Sequence, residues 1–273
     1  MEMSDISVRR GISSDAPALK ALWCSVFGDS DAFVDTFMET FFDSSVCVLV
    51  EVGESLAAMG FLLPVGFLRS PYRDDIPCGM IYAVATKPSM RGKGYGEAVT
   101  RGLLDAASEE GSDAVVLCPA EESLFDYYSQ RVGLESVFCC TEERISIAPL
   151  SAVPLRRVTA AEYIVIREKI LKDTPHITFD ERCFEYQERI GDDGGLFTAD
   201  CGEGETCCAA VEVCNGAVRI VELLGDGEKL LHAIVQKFTA ENYFVRRPGQ
   251  DKRFGMVNAG ISVQNAWFGL AFD

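Results

Sequence analysis

The sequence predicts an α/β protein with a mixed sheet flanked by helices. Three observations carry this. Apolar strand-like runs alternate with amphipathic helical runs in the order β-α-α-β-β-β-α-β-α-β over the first half. A similar order returns in the second half. A glycine-rich turn joins a nearly all-apolar strand, Ile81 to Thr86, to an amphipathic helix.

Ile6 to Arg9 reads as a short strand. Ser13-Ser14-Asp15 offers a helix start, followed by Leu19, Leu22, Trp23 and Phe27 at helical spacing, and Gly28 ends that helix. Ser30 or Asp31 can cap a second helix carrying Phe33, Phe37, Met38, Phe41 and Phe42. Cys47–Val52 and Leu56–Leu68 read as strands joined by a Gly-Glu-Ser turn, and Ser70–Asp75 as a polar loop. After the glycine turn, Glu97–Glu110 sets Val99, Leu103, Ala106 and Ala107 on one face. Ala114–Cys118 is a strand, Glu121–Arg131 a helix stopped by Gly133, and Ser136–Ile147 the last strand of this half.

Pro149 and Pro154 discourage regular structure. The expected division is therefore a first domain over 1–147, a linker over 148–155 and a second domain over 156–273. In the second domain, helices are expected at Ala160–Leu171, Glu181–Arg189 and Glu228–Phe238. Strands are expected at Leu196–Ala199, Cys207–Val213, Val218–Leu224, Tyr243–Arg246 and Met256–Ala259. Ile220-Val221-Glu222-Leu223-Leu224 running into a helix parallels Ile81-Tyr82-Ala83-Val84-Ala85. Only Gly225-Asp226-Gly227 stands where the first copy has Pro88 to Gly96.

Of 273 residues, 48% are hydrophobic and 25% charged, which is ordinary globular usage and excludes disorder as the main state. Lys and Arg number 25 against 42 Asp and Glu, a net charge of −17. So acidic a surface repels phosphate backbones and anionic lipid, which argues against nucleic-acid or membrane partners and favours a cationic one. No apolar run of ~18 residues occurs. The polar start and the odd count of 11 cysteines predict a reducing, cytoplasmic setting with free thiols. Cys139-Cys140 and Cys207-Cys208 lie in expected strands, where neighbours face opposite sides, and no CxxC occurs. The cysteines therefore read as small buried hydrophobes, with no metal site. His176 and His232 stand alone.

The chemistry-bearing segment is Val84-Ala85-Thr86-Lys87-Pro88-Ser89-Met90-Arg91-Gly92-Lys93-Gly94-Tyr95-Gly96. Gly92, Gly94 and Gly96 permit positive φ and close backbone approach. The turn can aim free N–H groups and the positive end of a helix dipole at one point, as an anion such as a pyrophosphate requires. Arg91 and Lys93 add local positive charge in an otherwise negative chain. No Gly-Lys-Ser/Thr follows, and the spacing is not that of a dinucleotide fingerprint.

Arg91, Gly94 and Gly96 resemble the Gln/Arg-x-x-Gly-x-Gly/Ala signature of the GNAT family of N-acetyltransferases. The wider layout resembles the Eis-like bacterial members, which follow a GNAT domain with a degenerate second one. The resemblance implies a tandem GNAT-like acyl-CoA N-acyltransferase fold and acetyl-CoA as co-substrate, without a metal. The backbone of Val84, Ala85 and Thr86 would pair with the pantetheine arm. The N–H groups of Gly92, Lys93, Gly94, Tyr95 and Gly96 would hold the pyrophosphate beside Arg91.

The implied activity is acetyl transfer to a primary amine of a small molecule. The alternatives are a peptide or protein N-acetyltransferase and a non-catalytic CoA-binding sensor. The resemblance also implies homo-oligomer interfaces. Acyl transfer needs an acid for the leaving thiolate. The family's tyrosine implies Tyr128, with Tyr127 as second choice. Family members place that tyrosine four residues before the glycine, whereas Tyr128 is five before Gly133 and Ser129 falls at the ungapped position. By the same resemblance, Asp273 would lend the terminal carboxylate of an apolar tail, Trp267 to Phe272. Trp23, Phe27, Phe33, Phe37 and Phe41 would line the acceptor pocket or, as such aromatics more often do, fill the core, and Glu121 and Glu122 would attract the amine or simply stand in solvent.

Overall fold

A computed structural model describes residues 6–43, 45–146, 153–200, 206–214, 216–225 and 227–272. The expected linker 148–155 lies outside the described residues except for Val153, Pro154 and Leu155. The chain divides into two compact units. The first holds residues 1–67, 76–136 and 256–261, and the second 68–75, 137–255 and 262–273.

The first unit contains β1 (Ile6–Arg10), α1 (Ala16–Phe27), α2 (Asp31–Phe41), β2 (Val46–Val52) and most of β3 (Ser55–Ser70) and β4 (Arg73–Thr86). α3 (Tyr95–Glu109), β5 (Ala114–Leu117) and α4 (Glu122–Val132) follow. This is the order read from the sequence. α1 stops at Gly28, whose φ of 77° suits a residue without Cβ. α2 starts where Ser30 Oγ accepts from Phe33 N–H at 3.2 Å.

Strands β1 to β5 lie side by side in chain order, and Met256 and Val257 pair with Leu117 and Val116 beyond β5. The pairs β1–β2 and β2–β3 are antiparallel, while β4–β5 is parallel. One face of this sheet carries Val50, Leu62, Ile81 and Val115, packed on Val99 and Leu103 of α3 and Phe125 and Tyr128 of α4. The other face carries Phe61 and Tyr82 against Trp23 of α1 and Phe37 of α2, with ring centroids 4.7 to 5.9 Å apart.

The second unit contains β6 (Leu134–Ile145) from Val137 onward, β7 (Leu155–Arg157), α5 (Ala160–Leu171), β8 (His176–Ile177) and α6 (Glu181–Ile190). β9 (Gly195–Asp200), β10 (Thr206–Cys214), β11 (Ala217–Leu224), α7 (Gly227–Lys237), β12 (Tyr243–Pro248) and β13 (Lys252–Asn258) complete the chain, the last three residues of β13 belonging to the first unit. Its strands run β6-β12-β11-β10-β9-β7. α7 covers the face holding Cys207, Ala209, Ile220 and Leu223. Cys208 faces the other way, near Tyr163 of α5, as the alternation of a strand requires.

On the α5 face a buried ion pair organises the core. Arg167 Nε donates to Glu222 Oε2 at 3.0 Å, and both side chains are fully buried. Tyr163 Oη (2.9 Å) and Trp267 Nε1 (2.6 Å) also donate to Glu222. His176 is buried with Nδ1 against Thr174 O and Nε2 against Glu168. This places it in structural packing.

The structure corrects three expectations. Ser70–Asp75 is not a loop: β3 runs to Ser70 and β4 resumes at Arg73, and Leu68 and Arg69 pair with Ile177 and His176 of β8. Leu155, placed in the linker, begins β7 and pairs with Ala199. Trp23, Phe37 and Phe41 lie in the core with at most 1% exposure, whereas Phe27 is 44% exposed.

Candidate functional site

The site is built where β4 leaves β5. Their parallel ladder runs from Cys78 opposite Ala114 to Ile81 opposite Leu117 and ends there. β5 stops at Leu117, and β4 continues to Thr86. Past Ile81, the edge of β4 that faced β5 therefore has no strand partner there among the described residues. Backbone N–H and C=O groups of an otherwise buried strand must be satisfied by something. Tyr82, Ala83, Val84 and Thr86 are accordingly half-exposed, although the strand is apolar.

Ala83 has φ of 50°, the left-handed region that an L-residue occupies at a cost of ~1–2 kcal/mol. It is the only non-glycine residue of the first unit with positive φ among the described residues. The kink inserts one extra residue. Ile81 and Val84 then face the same core, although three positions apart. The resemblance assigns the pantetheine pairing to Val84, Ala85 and Thr86, which begin one residue past the kink. Nothing in an alanine announces a left-handed backbone.

From Thr86 the chain passes through a short 3-10 turn, Pro88–Met90, to Arg91. Gly92 (φ 77°) and Gly94 (φ 83°) are left-handed, and Gly94 caps α3 with no side chain to occupy the helix's free N–H groups. Those donors, with the positive end of the helix dipole, stay available to an anion. Arg91, Gly92, Lys93 and Gly94 are exposed and Tyr95 and Gly96 half-buried. Arg91 Nε reaches Thr86 O at 3.4 Å. All nine residues expected to hold the cofactor therefore lie on one continuous stretch from the kinked strand to the first turn of α3.

The expected catalytic residues are placed differently. Tyr128 is 6% exposed, inside the core under α3 and α4, and burial pushes its phenol well above the ordinary range. Tyr127 is half-buried, with its ring 5.2 Å from that of Tyr128. A Cβ placed on Gly96 would lie 3.4 Å from Tyr127 Oη and 3.3 Å from Thr86 Oγ1. Burial, and after it the charge of Glu97, raises the Tyr127 pKa. Ser129, Glu121 and Glu122 are exposed. Asp273 lies outside the described residues, while Trp267 to Phe272 are described and all buried.

Residues 7–132 match the family model described as Acetyltransferase (GNAT) domain. No curated protein sequence matches the chain. Among solved structures, the fold resembles a probable N-acyltransferase from Enterococcus faecalis V583. The TM-score is 0.74 at 15% identity, covering 93% of this chain and 72% of that one. It also resembles Eis1 from Mycobacterium abscessus, at TM-score 0.65 and 11% identity over 93% and 73% of the two chains. A putative acetyltransferase from Pyrococcus horikoshii gives TM-score 0.63 and 16% identity over 99% and 95%. At these identities the likeness is one of fold, which is that of the GNAT acyltransferases.

The match over residues 7–132 and the likeness of fold support an acyltransferase, with residues 7–132 similar to a GNAT acetyltransferase domain.

Proposed function

We propose that the chain transfers the acetyl group of acetyl-CoA to the primary amine of a small molecule, by direct attack in a ternary complex. The observation that carries this reading is the end of the β4–β5 ladder at Ile81, from which β4 runs on past β5 without interruption into the glycine turn. An extended ligand with amide groups can add itself to that edge as a strand would. Its anionic end then meets Arg91, Lys93 and the first turn of α3. Pantetheine diphosphate has this pattern: amides along an arm, then phosphates.

In the reaction the neutral amine attacks the thioester carbon. The new C–N bond forms, the C–S bond breaks, and the amine proton passes to water. A thiol pKa near 8.5 makes the thiolate a fair leaving group, so it can take its proton from solvent. The thioester would lie at the kink, beside the backbone of Ala83. The acidic surface, net −17, concentrates a cationic acceptor near the domain.

The second unit supports a reading as a degenerate second copy. Its parallel ladder stops at Ile220 opposite Val245. A bulge follows at Val221, so that Ile220 and Leu223 share one face, as Ile81 and Val84 do. The Arg-x-x-Gly-x-Gly turn is missing from it.

Calorimetry with acetyl-CoA tests the cofactor half of this reading. Arg91→Glu should weaken binding about tenfold or more, through loss of one charge-assisted contact and gain of repulsion. Equal affinity would overturn it. A panel of small amines, polyamines and a lysine peptide, followed by free-thiol release, tests the acceptor half. Turnover on the peptide alone would overturn the small-molecule assignment, and tight acetyl-CoA binding without any turnover would favour a sensor.

A further inference from the structure

Two hydroxyls from different elements meet over one position that has no side chain. Thr86 closes β4, Tyr127 stands on α4, and Gly96 lies in the first turn of α3. Thr86 Oγ1 and Tyr127 Oη lie 3.3 and 3.4 Å from the point where a Gly96 Cβ would be. A methyl group there would touch both hydroxyls and close the space between them. With glycine, that space stays open in the first turn of α3, the helix that follows Arg91 and Lys93.

That end is not where acyl transfer occurs. The kink is at Ala83, and Thr86 is three residues further along an extended strand, ~10 Å away at ~3.3 Å per residue. A proton donor must come within ~2.6–3.2 Å of the atom it serves. A phenol beside the open Gly96 position, with the Thr86 hydroxyl bordering the same space, is thus placed for the phosphates and not for the sulfur. We propose that Tyr127 is a cofactor-binding residue, which with the Thr86 hydroxyl holds the diphosphate end of acyl-CoA, and not the acid of the reaction. This rests on the acyl-CoA reading above.

The electrostatics agree with a donor role. The charged groups acting on Tyr127 are Glu97 of α3 and Arg131 of α4. Glu97 is already engaged by Arg101 Nε at 3.0 Å, one turn along α3. Burial and Glu97 keep the phenolic proton in place at neutral pH, so Tyr127 can donate to a phosphate oxygen. Thr86 can donate beside it from the strand side.

The test uses the full chain, Tyr127→Phe, Thr86→Val and Thr86→Ser, with CoA and pantetheine as calorimetric ligands. Acetyl-CoA and acetyl-pantetheine serve as donors for kinetics, and circular dichroism checks each variant's fold. Tyr127→Phe should weaken CoA binding roughly tenfold, the weight of one hydrogen bond to a charged group, while pantetheine affinity moves far less. In kinetics the loss should fall on KM for acetyl-CoA, and the shape of the kcat pH profile should persist. Thr86→Val should behave likewise, and Thr86→Ser should restore binding.

Unchanged CoA affinity in Tyr127→Phe overturns the proposal, as does an equal loss for CoA and pantetheine. A fall in kcat of ~100-fold or more with both donors, at unchanged CoA affinity, makes Tyr127 the acid instead. Absence of CoA binding by the wild-type chain is a separate result and would overturn the acyl-CoA reading itself.

Discussion

Ile81 and Val84 pack into one hydrophobic core under α3 although three strand positions separate them. A regular strand would set them on opposite faces. The left-handed turn at Ala83 resolves the conflict and at the same point opens β4 toward the cleft. Packing and ligand access therefore depend on the same dihedral angles.

Substitution at Ala83 should separate these effects. Ala83→Gly removes a left-handed cost of ~1–2 kcal/mol and adds ~0.5–1 kcal/mol of unfolded-chain entropy, so the melting temperature should change little. Ala83→Val places a β-branched residue at φ 50° and should cost ~2 kcal/mol or more. It should also lower CoA affinity as the strand flattens. Thermal melts and calorimetry on the two variants check this, and an Ala83→Val protein with wild-type affinity would disconnect the kink from binding.

Arg167→Met should destabilise the second unit by ~3–5 kcal/mol, because Glu222 stays buried without its cation. Urea denaturation measures the difference. Tyr163 and Trp267 still donate to Glu222 in that variant. Glu222→Leu strands those two donors and Arg167 together and should be at least as damaging.

Acid should weaken the first unit through Arg9. Its guanidinium donates to Asp15 at 2.7 and 3.0 Å and to Glu51 at 2.7 and 3.0 Å, and it holds both carboxyls below their ordinary range. A carboxyl with a depressed folded pKa contributes stability that is full above its unfolded pKa of ~4 and lost as pH falls through the folded value. Arg9→Met should therefore be less stable than wild type at pH 7, and the gap should close as pH falls from ~4 through the depressed folded values. Urea midpoints across that range check the sign, and added salt should shrink the gap at pH 7.

Alkylation should sort the cysteines by burial. Burial pushes the Cys47 thiol up to about 12 and Cys140 to about 11, and raises Cys78, Cys183 and Cys208 as well. Thiolate is the reacting form, so these five should resist iodoacetamide at pH 8 until the protein unfolds. Cys118 and Cys139, only partly buried, should react first. Peptide mass mapping reads the order.

Much of the fold was legible because its signals are local. Thr159 and Glu162 form a reciprocal cap, and α5 begins at the residue they mark. The glycine turn could be placed because Gly92 and Gly94 need their left-handed conformations within the segment itself. The tip between β3 and β4 was not legible. Ser70, Asp74 and Asp75 look like loop residues, and the strands persist around Leu68 and Arg69 through pairing with a two-residue strand more than a hundred positions away. The order of Tyr127 and Tyr128 was equally hidden, since the rung of α4 that meets α3 is decided by packing. The same holds for Trp23, Phe37 and Phe41, whose spacing on α1 and α2 is the same whether they fill a core or line a pocket.

Asn258 accepts from Val115 N–H at 2.8 Å across 143 positions of sequence, and Met256 and Val257 pair with β5 beside it. A ribosome releases β5 long before it makes the residues that cover its free edge. During that interval Val116 and Leu117 present unpaired backbone and apolar side chains, the combination through which nascent chains pair with one another. The first unit therefore completes its sheet only once Met256 and Val257 have been made, and the chain has a long window in which a chaperone holding that strand would raise its yield.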